Sequence, residues 1–331
     1  MKIYLLMLEP IEERYSIQWL AWFQEVFKDK NIPFEIILGD HVNSKLSGKY
    51  FLDPINTNIW KLTQLTNLLK QIDDIQDDDV IFFADLWNPG LEVLPYIRNL
   101  TGKHFKIAGY LHAGTYDPWD LTTQTGMTSW AAPLEESWFK SSDIIFVATD
   151  FHKKLILKSR AVDPDKIQVV GFPLDIQNLR LRYPGTINKD SEYVVFTGRK
   201  TVEKGYPIIQ ELIQAGYPVI NSLDASRSKE DYYNLLLGAS GVISPCLQET
   251  FGIGVVEGMA LGCVPIVPDR LSYQETVPKE YRYSNESEIG TRIQECFKTS
   301  KEDRRAIQEY VCRHQYQEVI GKIIKILQDH I

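Results

Sequence analysis

The chain is poor in the residues that cross-link a fold. It has four cysteines in 331 residues, at positions 246, 263, 296 and 312, with no Cys-x-x-Cys pair among them. That excludes a dense disulfide framework, and the thiols read as free side chains in a reducing compartment. Long hydrophobic runs are also missing. Met1-Lys-Ile-Tyr-Leu-Leu-Met-Leu8 stops at Glu9-Pro10, short of a signal peptide and of the ~20 apolar residues of a membrane span. The expectation is a cytoplasmic chain with no transmembrane segment. Positive charge is not in excess either. A net charge of −8 argues against a strong non-specific hold on nucleic acid or anionic membrane, although a local basic groove stays open. Lys153, Lys154, Lys158 and Arg160 cluster, as do Arg180 and Arg182, and both clusters read as solvated helix faces. No internal repeat or low-complexity tract is found.

What the chain does have is a length beyond what one hydrophobic core usually serves, which implies two domains. Its 44% hydrophobic and 24% charged residues are those of an ordinary globular protein. Short β-branched and aromatic runs alternate with helical patterns. One series comprises 3–8, 34–38, 80–84, 106–111, 144–148 and 167–170; a second comprises 193–197, 218–220, 242–244 and 264–267. A helix is expected over 17–27, with Trp19, Leu20, Phe23, Val26 and Phe27 on one face. Buried strands alternating with helices imply α/β architecture with two parallel sheets. The join falls near Gly171-Phe-Pro-Leu-Asp175 and the polar stretch 178–190. Residues 302–331 read as one or two helices. The acidic run from Asp73 to Asp79 has no His or Glu nearby to complete a metal site, and reads as a solvated turn.

Ligands of open α/β sheets bind beyond the carboxyl ends of the strands, so the polar residues that follow each strand are the candidates. Asp85 follows 80–84 and His112 follows 106–111. Gly198-Arg199 follows 193–197, with Lys204-Gly205 starting the next helix, and Gln248-Glu249 follows 242–245. A lone His after a strand is more often structural, and Arg199 or Lys204 alone would be surface charges; it is their conjunction at strand ends that carries weight.

The most informative stretch is Glu249-Thr-Phe-Gly-Ile-Gly-Val-Val-Glu257. Phe251-Gly252-Ile-Gly254 leads into an apolar helix closing at Gly262. Glycines there let a ligand approach the backbone, and the N–H groups and dipole of a helix start favour an anion such as a diphosphate. Glu257, about one turn in, needs hydrogen-bond donors, and vicinal ribose hydroxyls qualify. Glu249 precedes the helix and can reach other hydroxyls of the same ligand. Arg199 and Lys204 supply cations for the diphosphate. The Gly252-x-Gly254 spacing is not a dinucleotide fingerprint, because its third position is Glu257 rather than Gly.

Here the sequence resembles the family-4 group of retaining glycosyltransferases. Phe196-Thr-Gly-Arg199…Glu203-Lys204-Gly205 is similar to that family's Gly-Arg…Lys-Gly segment. Ser244-Pro-Cys-Leu-Gln-Glu249 through Glu257 to Val267 is similar to its Glu-x7-Glu signature, with a further acid at Glu275. Pro164 to Asp175 resembles its passage between domains. The resemblance implies a GT-B fold: two Rossmann-like parallel-sheet domains facing across a cleft, the first over residues 1–172 and the second over 173–305. The C-terminal helix, 306–331, would cross back to the N-terminal domain. It implies a nucleoside-diphosphate sugar donor (UDP- or GDP-linked), retention of configuration, and no cofactor or metal. Residue by residue, it places Gly198, Arg199 and Lys204 at the diphosphate and Glu257 at the ribose. Glu249, Thr250, Phe251 and Gly252 fall at the donor sugar, with His112 lining it from the N-terminal side.

The sequence departs from the family after the first strand, where Leu8-Glu-Pro-Ile-Glu-Glu-Arg-Tyr-Ser16 replaces a Gly-rich loop. Ser16-Ile-Gln-Trp19 and Tyr110-Leu-His-Ala-Gly-Thr-Tyr-Asp-Pro118 resemble a branch that glycosylates a modified nucleoside in transfer RNA. The leading expectation is transfer of a hexose or similar sugar to a hydroxyl of a saccharide, glycan or small metabolite. The alternative is transfer to a modified nucleic-acid base, in which Asp85, Trp87, Tyr116, Asp117, Trp119 and Trp130 would be the acceptor-side residues; the acidic balance disfavours it. A non-catalytic nucleotide-sugar binder and an epimerase on the same fold complete the field.

Overall fold

A parallel strand covered on both faces has no place for polar side chains except at its ends, and the apolar runs form strands accordingly. The computed structural model describes residues 1–10, 15–40, 53–182, 189 and 191–330. Part of the loop after the first strand (11–14) and part of the polar passage (183–188 and 190) therefore lie outside the described residues. Two compact units divide the chain. The first comprises Met1–Val147, Lys153–Val170 and Ile320–Ile331, and the second Ala148–His152 and Gly171–Val319.

The first unit holds strands β1 (Ile3–Leu6), β2 (Phe34–Ile37), β3 (Val80–Phe83), β4 (Lys106–Tyr110), β5 (Ile144–Val147) and β6 (Ile167–Val169). They form one parallel sheet in the order β2-β1-β3-β4-β5-β6, with Ile3 registered against both Phe34 and Val80. Alternation along β3 splits its side chains between two cores. Ile81 and Phe83 join Leu65 and Leu68 of the helix Asn56–Leu69 and Trp138 of the helix Thr128–Ser141. Phe82 faces the helix Ser16–Asp29, whose Phe23 ring lies 5.7 Å from it. On that helix Trp19, Phe23, Val26 and Phe27 of the expected stripe are buried, and Leu20 is half-buried.

The second unit holds β7 (Val194–Phe196), β8 (Val219–Asn221), β9 (Gly241–Ile243), β10 (Val264–Pro268) and β11 (Arg282–Tyr283), parallel in the order β11-β10-β9-β7-β8. The ten expected runs all carry strands, so the α/β class with two parallel sheets holds. The eleventh strand, Arg282–Tyr283, was not expected; two residues beginning with an arginine present no apolar run. The passage 171–175 is tied into this unit. Leu174 pairs with Gln315 in a parallel bridge, donating its N–H to His314 O and accepting from Tyr316 N–H. The helix Lys301–Tyr310 belongs wholly to the second unit, while the helix Tyr316–Asp329 passes to the first from Ile320 onward.

Two charge clusters behave differently from one another. In the acidic run, Asp79 accepts the N–H groups of Lys2 (2.7 Å) and Gln76 (2.9 Å), and Asp77 that of His104 (2.9 Å), so these carboxylates cap the starts of neighbouring segments. Arg160, expected on a solvated face, instead has a largely covered side chain: it donates to Glu135 Oε2 at 2.9 Å and to Thr115 Oγ1 at 2.6 Å. Glu135 is fully buried and also accepts Thr115 N–H (2.6 Å) and Thr115 Oγ1–H (2.7 Å). Spacing along one helix cannot reveal that an arginine has a buried acid on another. Removing one partner of such a pair leaves an uncompensated buried charge and costs about 3–5 kcal/mol. Glu135→Ala is therefore expected to lower stability by about that amount in reversible denaturant unfolding, more than the surface variant Lys158→Ala.

Candidate functional site

In the second sheet β7 lies between β8 and β9. The chain leaves β7 for β8 on one side and returns to β9 on the other, so the connections from β7 and β9 part at their carboxyl ends. Such a switch point opens a crevice in which ligands bind. The segment after β7 contributes Thr197, Gly198 and Arg199, then a short turn, Val202–Lys204, and Gly205 in a left-handed conformation. The segment after β9 contributes Gln248 and Glu249. The two are stitched together by Leu247 and Gln248 N–H, both donating to Glu203 O.

Lys204 reaches across this junction. Its ammonium donates to Gln248 O (2.8 Å), Gln248 Oε1 (2.9 Å) and Glu249 Oε2 (3.3 Å). An ammonium has three donors, so all are engaged, the weakest to Glu249. Arg199 pairs with Glu203 at 3.3 Å, its side chain partly exposed. Glu249 in turn accepts the N–H groups of Thr250 (3.2 Å) and Phe251 (3.3 Å) on Oε1. Burial works against its charge, but Lys204 and the backbone N–H groups of Phe251 and Gly252 outweigh it and hold the carboxyl below the ordinary glutamate range.

The helix Ile253–Ala260 starts at this point with Gly252 as its N-cap at φ 91°, a left-handed conformation that favours glycine. No side chain caps it, and the first N–H groups of any helix lack intrahelical acceptors. Gly254 serves close packing rather than ligand approach alone: a Cβ there would sit 2.4 Å from Thr197 Oγ1. The helix start is thereby drawn onto the end of β7. Phe251 is clamped, stacking on Phe172 at 5.2 Å and meeting the His314 ring edge-on at 4.8 Å. Thr250 O accepts from Thr149 Oγ1 at 2.9 Å.

Glu257 is buried at 5% exposure, and its partners are two phenols. Tyr232 donates to Oε2 and Tyr233 to Oε1, each at 2.9 Å. Neither tyrosine stands out in the sequence, since two adjacent tyrosines in a helix carry no motif. Glu275 plays a structural part, because its carboxylate accepts the N–H groups of Asp150 (2.8 Å) and Phe151 (2.6 Å) at the start of the helix Asp150–Ser159.

The acceptor-side candidates and His112 all lie in the first unit. Its sheet has its own switch point between β1 and β3. Beyond β3, Asp85 Oδ2 accepts from Lys61 Nζ at 2.7 Å and Oδ1 from Trp87 N–H at 3.1 Å. Burial raises the Asp85 pKa, but Lys61 and then His112 prevail and leave it below the usual value. Beyond β1, Glu9 accepts from Thr57 Oγ1 at 2.7 Å. Lys61 was missed by the sequence reading, although a signal exists: it is the one charged residue of its helix, Asn56–Leu69. His112 follows β4. A carbonyl only accepts, so Nε2–H donates to Ala84 O at 2.9 Å, and Nδ1 shares a hydrogen bond with Tyr15 OH at 3.3 Å. Tyr116 and Asp117 are buried, at 4% and 5% exposure, with Tyr116 in the hydrophobic core and Asp117 accepting Trp119 N–H at 2.9 Å. Trp119 and Trp130 are exposed, and Trp130 meets Trp87 edge-on at 6.5 Å. Among the described residues no group of three or more potential metal ligands occurs, and no helix is long and apolar enough to cross a membrane.

No family model matches the chain. A curated relative, the tRNA-queuosine alpha-mannosyltransferase of Drosophila melanogaster, is 28% identical over 108 residues, which are 31% of this chain and 29% of that protein. The aligned stretch thus spans less than a third of either. Likeness to solved structures runs the whole length. Sucrose-phosphate synthase from Thermosynechococcus elongatus superposes with a TM-score of 0.66 at 11% identity, over 99% of this chain and 98% of that one. HepE from Anabaena, solved with UDP and glucose, gives 0.64 at 14% identity over 99% and 100%. Two parallel sheets of six and five strands, matched from end to end by these structures, establish that the chain has the GT-B fold.

Proposed function

We propose that this chain is a retaining glycosyltransferase that moves a hexose or similar sugar from a nucleoside-diphosphate sugar to a hydroxyl acceptor, without a metal ion. The observation that carries the reading is the junction of the β7 and β9 ends. There Lys204, Arg199 and an uncapped helix start supply positive charge, beside two largely buried acids, Glu249 and Glu257. A diphosphate satisfies the cations and the helix start, and hydroxyls of sugar and ribose satisfy the acids. That HepE was solved with UDP and glucose supports the same donor class.

In this reading the diphosphate takes over the weakest of the three Lys204 contacts, at 3.3 Å, and Glu249 turns its released oxygen to the donor sugar. The bond between the anomeric carbon and the leaving phosphate oxygen breaks as the acceptor oxygen bonds to the same face. The acceptor's proton passes to the departing phosphate oxygen, so no enzyme nucleophile is required. Lys204, Arg199 and the helix start stabilise charge building on the diphosphate, and catalysis is positioning plus electrostatics.

A second acceptor reading has a specific observation in its favour. The curated relative acts, by its name, on queuosine in transfer RNA, and exposed Trp119 and Trp130 with Trp87 would offer faces for a base. The net charge of −8 opposes it, and a saccharide also suits aromatic faces. Incubating the protein with UDP- and GDP-sugars and either saccharide mixtures or bulk transfer RNA, followed by mass spectrometry of products and nucleoside digests, separates the two. Donor turnover without any acceptor would reveal an epimerase, and binding without turnover a non-catalytic binder.

Arg199→Ala is expected to weaken nucleoside-diphosphate binding and turnover together, by roughly tenfold or more, the scale of a charge-assisted contact. Calorimetry and initial rates check this, and unchanged values for both would sink the diphosphate assignment. The Lys204–Glu249 contact has its own pH signature. A depressed carboxyl pKa stabilises the fold above the unfolded-state value of 4.5, and that contribution is lost as pH falls through the folded value. With Lys204→Met, burial prevails and the Glu249 pKa rises. Thermal melts across pH 3–7 (a range chosen around the ~4.3 of a free glutamate) should show the variant losing stability at higher pH than the wild type.

A further inference from the structure

The acid at the far end of the Glu-x7-Glu motif is held by two side chains outside the motif. Tyr232 and Tyr233 are consecutive on the helix Lys229–Gly238, and consecutive helix positions point ~100° apart. Yet both phenols donate to one carboxylate, one to each oxygen, at 2.9 Å. Glu257 is thus approached from two directions and pinned in plane as well as position. A carboxylate offers about four lone-pair sites, so each oxygen keeps acceptor capacity after this pair is satisfied. Glycine at 254 admits the arrangement: a Cβ there would lie 3.3 Å from Tyr232 Oη. Burial first, then the charge of Glu257, push the Tyr232 phenol well above its ordinary value, which keeps it a donor at any working pH.

We propose that Tyr232 and Tyr233 are positioning residues that present Glu257 to the vicinal 2′ and 3′ hydroxyls of the donor's ribose, and so set a preference for ribonucleotides over 2′-deoxyribonucleotides. The proposal rests on the reading of Glu257 as the ribose acid. A carboxylate free to rotate meets two fixed hydroxyls only part of the time; one locked by two phenols meets both without an ordering cost. A 2′-deoxynucleotide keeps only the 3′ hydroxyl, so the phenols contribute less to it than to the ribonucleotide, and this difference separates positioning from general support of the fold.

The test is calorimetry of UDP, GDP and their 2′-deoxy counterparts with the wild type, Tyr232→Phe, Tyr233→Phe and Glu257→Gln. The wild type should favour the ribonucleotide by about tenfold, the scale of one charge-assisted hydrogen bond. Each Phe variant should bring that ratio toward one, costing the ribonucleotide more affinity than its 2′-deoxy counterpart, which has only the 3′ hydroxyl to lose at Glu257. Phe variants that keep the wild-type ratio, or lose both ligands equally, overturn the proposal. Tyr232 is only half-buried, so Tyr232→Phe decides the matter if Tyr233→Phe does not fold. A wild type that binds none of the four nucleotides overturns the donor-site reading itself. One that binds them without preferring the ribose form overturns only the role of Glu257 and its tyrosines.

Discussion

Everything functional in this chain is placed by one constraint: parallel strands buried on both faces exclude polar groups from their length and leave them only the strand ends. In each sheet the strand order reverses once, between β1 and β3 and between β7 and β9. At these two places consecutive connections part instead of packing side by side, leaving room at the carboxyl edge. The chargeable residues follow that geometry. Glu9, Asp85 and Lys61 gather at the first switch point, and Arg199, Lys204, Gln248 and Glu249 at the second.

Energetics explain why the second site takes the form it does. Two unit charges about 4 Å apart in a medium of effective dielectric 20 attract by about 4 kcal/mol. Removing a charge from water costs several kcal/mol per ion. The Lys204–Glu249 contact, at 3.3 Å between largely buried groups, therefore sits near balance and holds both ions in place without locking them together. Gln248 supplies the other two acceptors, so the ammonium stays satisfied if the glutamate turns away. A site that must trade an internal partner for a ligand needs this near-neutrality. The Glu135–Arg160 pair in the first unit is different: a fully buried acid and its arginine share Thr115 as a third member, suited to holding a loop rather than releasing it.

The sequence made legible whatever depends on local pattern. Ten strands, most of the stripe of the first long helix and the glycine-led helix start at Gly252 were readable because apolar runs, period-3.6 spacing and glycines before a helix are local signals. What escaped it depends on residues distant in the chain. Arg160 looked solvated because Glu135 lies on another helix. The part Glu275 plays could not be read either, because the N–H groups it accepts, those of Asp150 and Phe151, lie over a hundred residues earlier. Tyr232 and Tyr233 were silent because a phenol means nothing until its partner is known. Lys61 is the instructive miss: a lone charge on a helix otherwise free of charge signals a buried partner and could have been followed to Asp85.

Donor chemistry reads more easily from the sequence than acceptor chemistry for the same reason. The segment proposed to hold the donor is short and its geometry is set by nearby elements: a left-handed Gly252, a Gly254 drawn onto Thr197, and an acid on either side. Even so, it is pinned from afar, with Phe251 held between Phe172 and His314. Those anchors come from the passage after β6 and from the stretch just before the last helix, which pair directly as Leu174 and Gln315. A diphosphate presents nearly the same shape whatever sugar it carries, so one local solution serves many donors. Acceptors share no such common group. The candidates for meeting one, side chains such as Trp87, Trp119 and Trp130, take an arrangement that depends on the packing of a whole unit, and that is written nowhere in a single motif.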